Sequence, residues 1–94
     1  MKDLLDIRKE IDLVDDEIIK LFVKRMGLSK EVAEFKKNTS MPVTDTNRED
    51  KIVYRLTSNL PDELKLYAKE VYSAIFSVSK AYQNTLVDKT SKEF

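Results

Sequence analysis

The chain has 94 residues, 36% charged and 41% apolar, with one Gly, two Pro, no Cys and no His. So few turn residues argue against a β fold, and the missing Cys and His exclude disulfides, thiolate chemistry, and the commonest general base and metal ligand. A formal net charge of zero argues against a non-specific electrostatic grip on nucleic acid or an anionic membrane. With no secretory leader pattern and no apolar run long enough to cross a bilayer, the expectation is one cytoplasmic domain. Its chemistry must be done by Arg, Lys, Glu, Asp, Ser, Gln or Tyr.

The first predicted element is a long helix, from an N-cap at Asp3 to about Lys37. Leu4, Ile7, Ile11, Val14, Ile18, Leu21, Arg25, Leu28, Val32 and Phe35 recur at alternating steps of three and four, the pattern of a packed helical seam. Gly27 is its interior weak point. The segment Asn38 to Pro42 breaks the periodicity and reads as a loop. Thr46 and Glu49 have the spacing of a capping box opening a second helix, with Ile52, Val53 and Leu56 on its apolar side. Ser58 to Pro61 ends that helix, and Pro61 suits the first turn of a third. Leu64, Ala68, Val71, Ile75, Val78 and Tyr82 form the third helix's apolar series. Residues 1–86 therefore read as one all-α domain of three helices, and 87–94 as a polar, frayed tail.

A helix of this length, roughly 50 Å at ~1.5 Å per residue, cannot be covered by the two short helices of its own chain. A homodimer in which two long helices pair is the economical solution, the alternative being a monomeric three-helix bundle that leaves part of the seam wet. Within the seam, Arg25 alone is not apolar. A cation there needs a protein carboxylate or an anionic ligand, unless its long stem snorkels to solvent. Lys36 follows three turns later on nearly the same face, roughly 16 Å along the axis. Arg8 lies too far along the helix to serve the same small site from one chain. If two copies pair antiparallel about a midpoint near residue 20, however, position 8 of the partner falls opposite position 32, between Arg25 and Lys36. Three cations around one pocket suit a ligand with more than one negative charge.

Other polar residues group nearby. Ser79 and Gln83 share one helical face, and Asp45, Arg48 and Glu49 cluster at the loop exit. Each is ordinary alone: Arg8 as an exposed edge residue, Glu49 as a capping-box member, Lys36 as a basic helix end. Asp12, Asp15, Asp16 and Glu17 read as a solvated face rather than a metal site, since no His supports them and Lys20 and Lys24 follow.

Taken together, these residues resemble the all-helical chorismate mutases. The resemblance is carried by Leu4-Leu5-x-x-Arg8-x-x-Ile11-x-x-x-Asp15, by Lys24-Arg25 and Lys36, by Pro42-Val43-x-Asp45-x-x-Arg48-Glu49, and by Ser79 and Gln83. It covers about residues 4 to 86. It implies an intertwined antiparallel helical homodimer with two equivalent sites. The implied reaction rearranges chorismate, a dianion, to prephenate on the path to phenylalanine and tyrosine, without metal, cofactor or covalent intermediate.

The resemblance also implies roles. Arg8 of the partner subunit, Arg25 and Arg48 hold the two carboxylates, with Ser79 assisting. Lys36 and Gln83 donate to the ether oxygen, and Asp45 and Glu49 meet the ring hydroxyl. An amide at position 83 donates at any pH, so activity is expected across neutral pH. The competing readings are an isochorismate–pyruvate lyase of the same fold and a non-catalytic regulatory or interaction module.

Overall fold

The computed structural model describes residues 2–91. It contains three α-helices, α1 (Leu4–Thr39), α2 (Thr46–Thr57) and α3 (Asp62–Ser91), in a shape of 62 × 26 × 15 Å. The molecule is therefore all-helical, as the composition and periodicity imply. No helix among the described residues is long and apolar enough to cross a membrane.

The ends of α1 follow from local chemistry. The Asp3 side chain accepts a hydrogen bond from the Asp6 backbone N–H at 2.9 Å, satisfying one of the free donors of the first turn. Asp6 lies in that first turn, and Lys36 and Lys37 lie in the last, matching the helix dipole at both ends. The helix stops at Ser40, whose φ of 57° is left-handed. The Ser40 and Met41 N–H groups both return to the Lys36 carbonyl, Met41 at 3.0 Å. The Lys36 carbonyl, one of the last four of the helix, is thereby satisfied twice over.

Three boundaries differ from expectation. The N-cap of α2 is Asp45 rather than Thr46: its side chain accepts from the Arg48 N–H at 3.0 Å. A carboxylate beside the positive helix end outcompetes the neighbouring hydroxyl. Pro61 sits just outside α3, its carbonyl accepting from the Leu64 N–H at 2.9 Å, while Asp62 and Glu63 take the first turn. Helix α3 runs on to Ser91, past Leu86 where the polar tail was expected to begin. Residues 92–94 of that tail lie outside the described residues.

Helix α3 is the shared partner on which α1 and α2 both pack. Helix α2 uses its apolar side, with Ile52 buried and Val53 and Leu56 half-buried. The faces used on α1 and α3 match the apolar series only in part, through the half-buried Ala68, Ile75 and Tyr82 of α3. On α1 the buried residues are Ser29 and Ala33, small enough for α3 to approach closely, while the neighbouring series members Leu28, Val32 and Phe35 stay exposed. On α3 the buried residues are Phe76, Ser79 and Gln83, and the expected series members Leu64, Val71 and Val78 remain exposed. The apolar core among the described residues is small: Ala33, Ile52 and Phe76. The N-terminal half of α1 is exposed throughout among the described residues. Leu4, Ile7, Ile11, Val14, Ile18 and Leu21 are between 41% and 62% exposed, a continuous apolar stripe of the kind that marks an interaction surface.

Ser40 is a non-glycine residue in a conformation that costs L-residues energy. Ser40→Gly should raise stability by about 0.5–1 kcal/mol, read as a higher thermal midpoint at fixed protein concentration.

Candidate active site

The C-terminal half of α1, the start of α2 and the second half of α3 enclose a cavity of about 330 Å³. Helix α1 contributes Arg25, Ser29 and Lys36 to its lining, spaced by four and seven so that they share one face. The loop and the first turn of α2 contribute Val43, Asp45, Arg48 and Glu49, and α3 contributes Phe76, Ser79, Lys80 and Gln83. Leu28, Val32, Ile52 and Phe76 form apolar wall, which strengthens any charge interaction inside.

Arg25, the cation of the seam, is half-buried, and no carboxylate lies within ion-pair distance of it among the described residues. Its guanidinium instead sits 5.9 Å from the centroid of the Phe76 ring, within cation–π range. Tyr72 packs edge-on against Phe76 at 5.8 Å and 63°, fixing the ring beneath the cation. The compensation Arg25 needs is thus not supplied by a protein carboxylate.

The remaining polar groups are tied to the scaffold. Lys36 donates from Nζ to the Val43 carbonyl at 2.8 Å, pinning the loop to the end of α1 with two N–H donors still uncommitted. The Ser29 and Ser79 hydroxyls hydrogen-bond at 2.6 Å, both buried. Lys80 Nζ pairs with Glu49 Oε2 at 3.2 Å. Gln83 is only 7% exposed, and its Oε1 is buried with no hydrogen-bond partner. Four cations (Arg25, Lys36, Arg48, Lys80) face two carboxylates (Asp45, Glu49), a formal surplus of two positive charges in a chain whose net charge is zero.

Of the candidate site residues, Arg25, Lys36, Asp45, Arg48, Glu49, Ser79 and Gln83 line this cavity and Arg8 does not. Arg8 lies on the exposed N-terminal part of α1. Two polar residues of the lining were not anticipated, Ser29 and Lys80. Ser29 stands one turn after Arg25, and Lys80 three residues before Gln83, so helical spacing held a signal for both. Their partners, Ser79 and Glu49, come from other elements, and spacing along one helix does not reveal such pairs. Among the described residues no group of three or more His, Cys, Asp or Glu side chains is placed to hold a metal ion.

The sequence that builds this cavity, with its apolar walls and cations from three helices, is matched by known proteins. Residues 7–84 fit the family model for chorismate mutase type II. The chain belongs to the type II chorismate mutase family. A chorismate mutase of Methanocaldococcus jannaschii is 30% identical over 95 residues, covering 96% of this chain and 93% of that protein. A bifunctional chorismate mutase/prephenate dehydratase of Aquifex aeolicus is 36% identical over 76 residues, covering 81% of this chain but 19% of that protein. One from Buchnera aphidicola is 33% identical over 90 residues, covering 93% of this chain and 23% of that protein. This chain therefore spans about a fifth of the length of these bifunctional relatives. No solved structure gives a significant match.

In this member of the type II chorismate mutase family, Asp45 has a structural task that can be separated from any contact with substrate. Asp45→Ala removes the cap of α2 and should lower stability by about 1 kcal/mol, whereas Asp45→Asn keeps an accepting oxygen and should cost little. Thermal unfolding of the two variants at equal concentration measures the difference.

Proposed function

We propose that this chain, a chorismate mutase by family, converts chorismate to prephenate in the cavity around Arg25. It does so as an antiparallel homodimer in which Arg8 of the partner subunit completes each of two equivalent sites. The observation that carries this reading is the half-buried Arg25 with no protein carboxylate beside it, in a cavity with a surplus of two positive charges. Chorismate carries two carboxylates, so it supplies the charge the cavity lacks.

The rearrangement is intramolecular. A carbon–oxygen bond breaks as a carbon–carbon bond forms, and no proton, nucleophile or metal takes part. The protein's task is to hold a flexible substrate in its compact reactive conformer and to aim donors at the charge that develops. Arg25, Arg48 and Arg8 of the partner subunit bind the carboxylates, with Ser79 adding a hydroxyl contact. Lys36 and Gln83 donate to the ether oxygen as the carbon–oxygen bond lengthens. Gln83 lines the cavity, and its side chain makes no hydrogen bond among the described residues, so its amide N–H groups are available to donate. Asp45 and Glu49 accept from the ring hydroxyl. The product feeds phenylalanine and tyrosine formation, in keeping with relatives that join the mutase to a prephenate dehydratase. The Cys-free composition suits a reducing cytoplasm.

Support for the dimer comes from the exposed stripe Leu4 to Leu21 on α1 and the exposed Leu64, Val71 and Val78 on α3. Both are the apolar series of their helices, and a second copy with the same two stripes is the economical cover. Pairing of two α1 helices near residue 20 brings Arg8 of the partner subunit toward the mouth of the cavity.

The test is conversion of chorismate to prephenate by the purified chain, with isochorismate as a second substrate to detect lyase activity. Arg8→Ala and Arg25→Leu should each lower kcat/KM by about two to three orders of magnitude. Arg25→Leu should keep or raise the melting temperature, since it completes the apolar seam. Mixing the two variants in equal amounts, then unfolding and refolding them together, should restore about a quarter of wild-type activity, because half of the dimers are mixed and each has one intact site. No recovery in refolded dimers sinks the shared site.

Gln83→Glu should convert a pH-independent donor into one that works only when protonated. The kcat/KM of that variant should fall steadily as pH rises from 5 to 8, while the wild type shows no such loss.

A further inference from the structure

We infer that Lys80 is a positioning residue for the mutase reaction, holding the Glu49 carboxylate so that an anionic side chain can face a dianionic substrate. This rests on the reading of the cavity as the active site. Lys80 Nζ lies 3.2 Å from Glu49 Oε2, and the two side chains are only 31% and 23% exposed. The other ion pairs among the described residues are Lys2–Glu10, Lys20–Glu17 and Lys65–Asp62. Each of those joins near neighbours in the sequence, and each has at least one side chain open to solvent, where such pairs contribute little. Lys80–Glu49 alone joins two helices, and both of its members line the cavity.

The pair is not the sole anchor of α2, which also buries Ile52 and Thr57. Its consequence is electrostatic. Glu49 is the one half-buried carboxylate of the lining, Asp45 being exposed and committed to the α2 cap. Unpaired, Glu49 would repel a ligand bearing two carboxylates from inside a cavity with apolar walls, where charges are poorly screened. Paired, it presents an accepting oxygen at little cost in repulsion, and its carboxylate is held in one orientation by an ammonium on the opposite helix. Lys80 thereby sets substrate affinity through Glu49, without donating to the bond that breaks.

Lys80→Met keeps the aliphatic stem and removes the charge. The expected result is a rise in KM for chorismate of about tenfold, with kcat changed less than about threefold. In a Glu49→Gln background the same substitution should change KM by no more than about twofold, since no carboxylate remains to be neutralised. Lys80→Arg should keep KM close to wild type. The inference is overturned if Lys80→Met lowers the melting temperature but leaves KM unchanged, which would make the pair a structural tie. It is equally overturned if KM rises by the same factor in both backgrounds, which would make Lys80 a direct ligand of the substrate. Calorimetric titration with prephenate, itself a dianion, reads the coupling without turnover. A wild type that converts no chorismate overturns the mutase reading, and the titration then decides Lys80 alone: coupled loss of affinity sustains it, and uncoupled loss or absence of binding overturns it.

Discussion

The close approach of α3 to α1 at Ser29 and Ala33 is the contact on which the other features depend. Two serine hydroxyls 2.6 Å apart bring the helix axes nearer than Leu or Phe would allow, because small side chains let backbones approach. That contact fixes the rotation of α1 about its own axis. Arg25, one turn before Ser29, and Lys36, two turns after it, are thereby turned toward Phe76, Ser79 and Gln83 of α3. The same rotation leaves Phe35 outside the cavity, while Leu28 and Val32 wall it yet stay largely exposed. Formation of the cavity and exposure of the apolar series are thus two results of one packing choice.

This division explains how a short chain can build a polar site without a large core. Only Ala33, Ile52 and Phe76 are buried apolar residues among those described, far fewer than a 94-residue domain needs to offset its conformational entropy. The missing burial resides in the uncovered stripes of α1 and α3. In the proposed dimer those stripes supply the hydrophobic driving force, and the faces between helices of one chain are left free to carry serines, a glutamine, lysines and arginines. Stability and chemistry are then assigned to different faces of the same helices, and the cation on the seam lies where the two faces meet.

Much of this was legible in the sequence, for reasons that also mark the limit. The three helices, the Asp3 cap and the loop after α1 follow from periodicity and short-range chemistry, which are local properties. Arg25 could be singled out because it interrupts a regular apolar series, and Ser79 with Gln83 because four residues separate them. Hydropathy found only part of the intrachain packing faces of α1 and α3. It selects the strongest apolar stripe, whereas α1 and α3 meet through Ser29, Ala33, Ser79 and Gln83, which no apolar pattern marks. The preference for Asp45 over Thr46 as cap turned on two adjacent residues of similar capping ability, a choice that the charge of the helix end decides. The pairs Ser29–Ser79 and Lys80–Glu49 join separate elements and appear only once the helices are placed. In the proposed dimer the position of Arg8 relative to the cavity depends on a second copy, which one chain does not contain.

The distribution of hydrogen bonds in the cavity bears on how such a site can act. Its fixed polar contacts link different pairs of elements: Lys36 to the loop carbonyl of Val43, Ser29 of α1 to Ser79 of α3, and Glu49 of α2 to Lys80 of α3. Each restrains one helix or loop against another, so the frame of the cavity is set before a ligand enters. The groups left uncommitted are of another kind: the Arg25 guanidinium, the two remaining Lys36 donors and the Gln83 amide. A reaction that transfers no proton and forms no bond to the protein can be accelerated only by orienting the substrate and by fields already in place. Restrained walls carrying unspent donors meet that requirement, because little of the substrate's binding energy is then consumed in reorganising the protein.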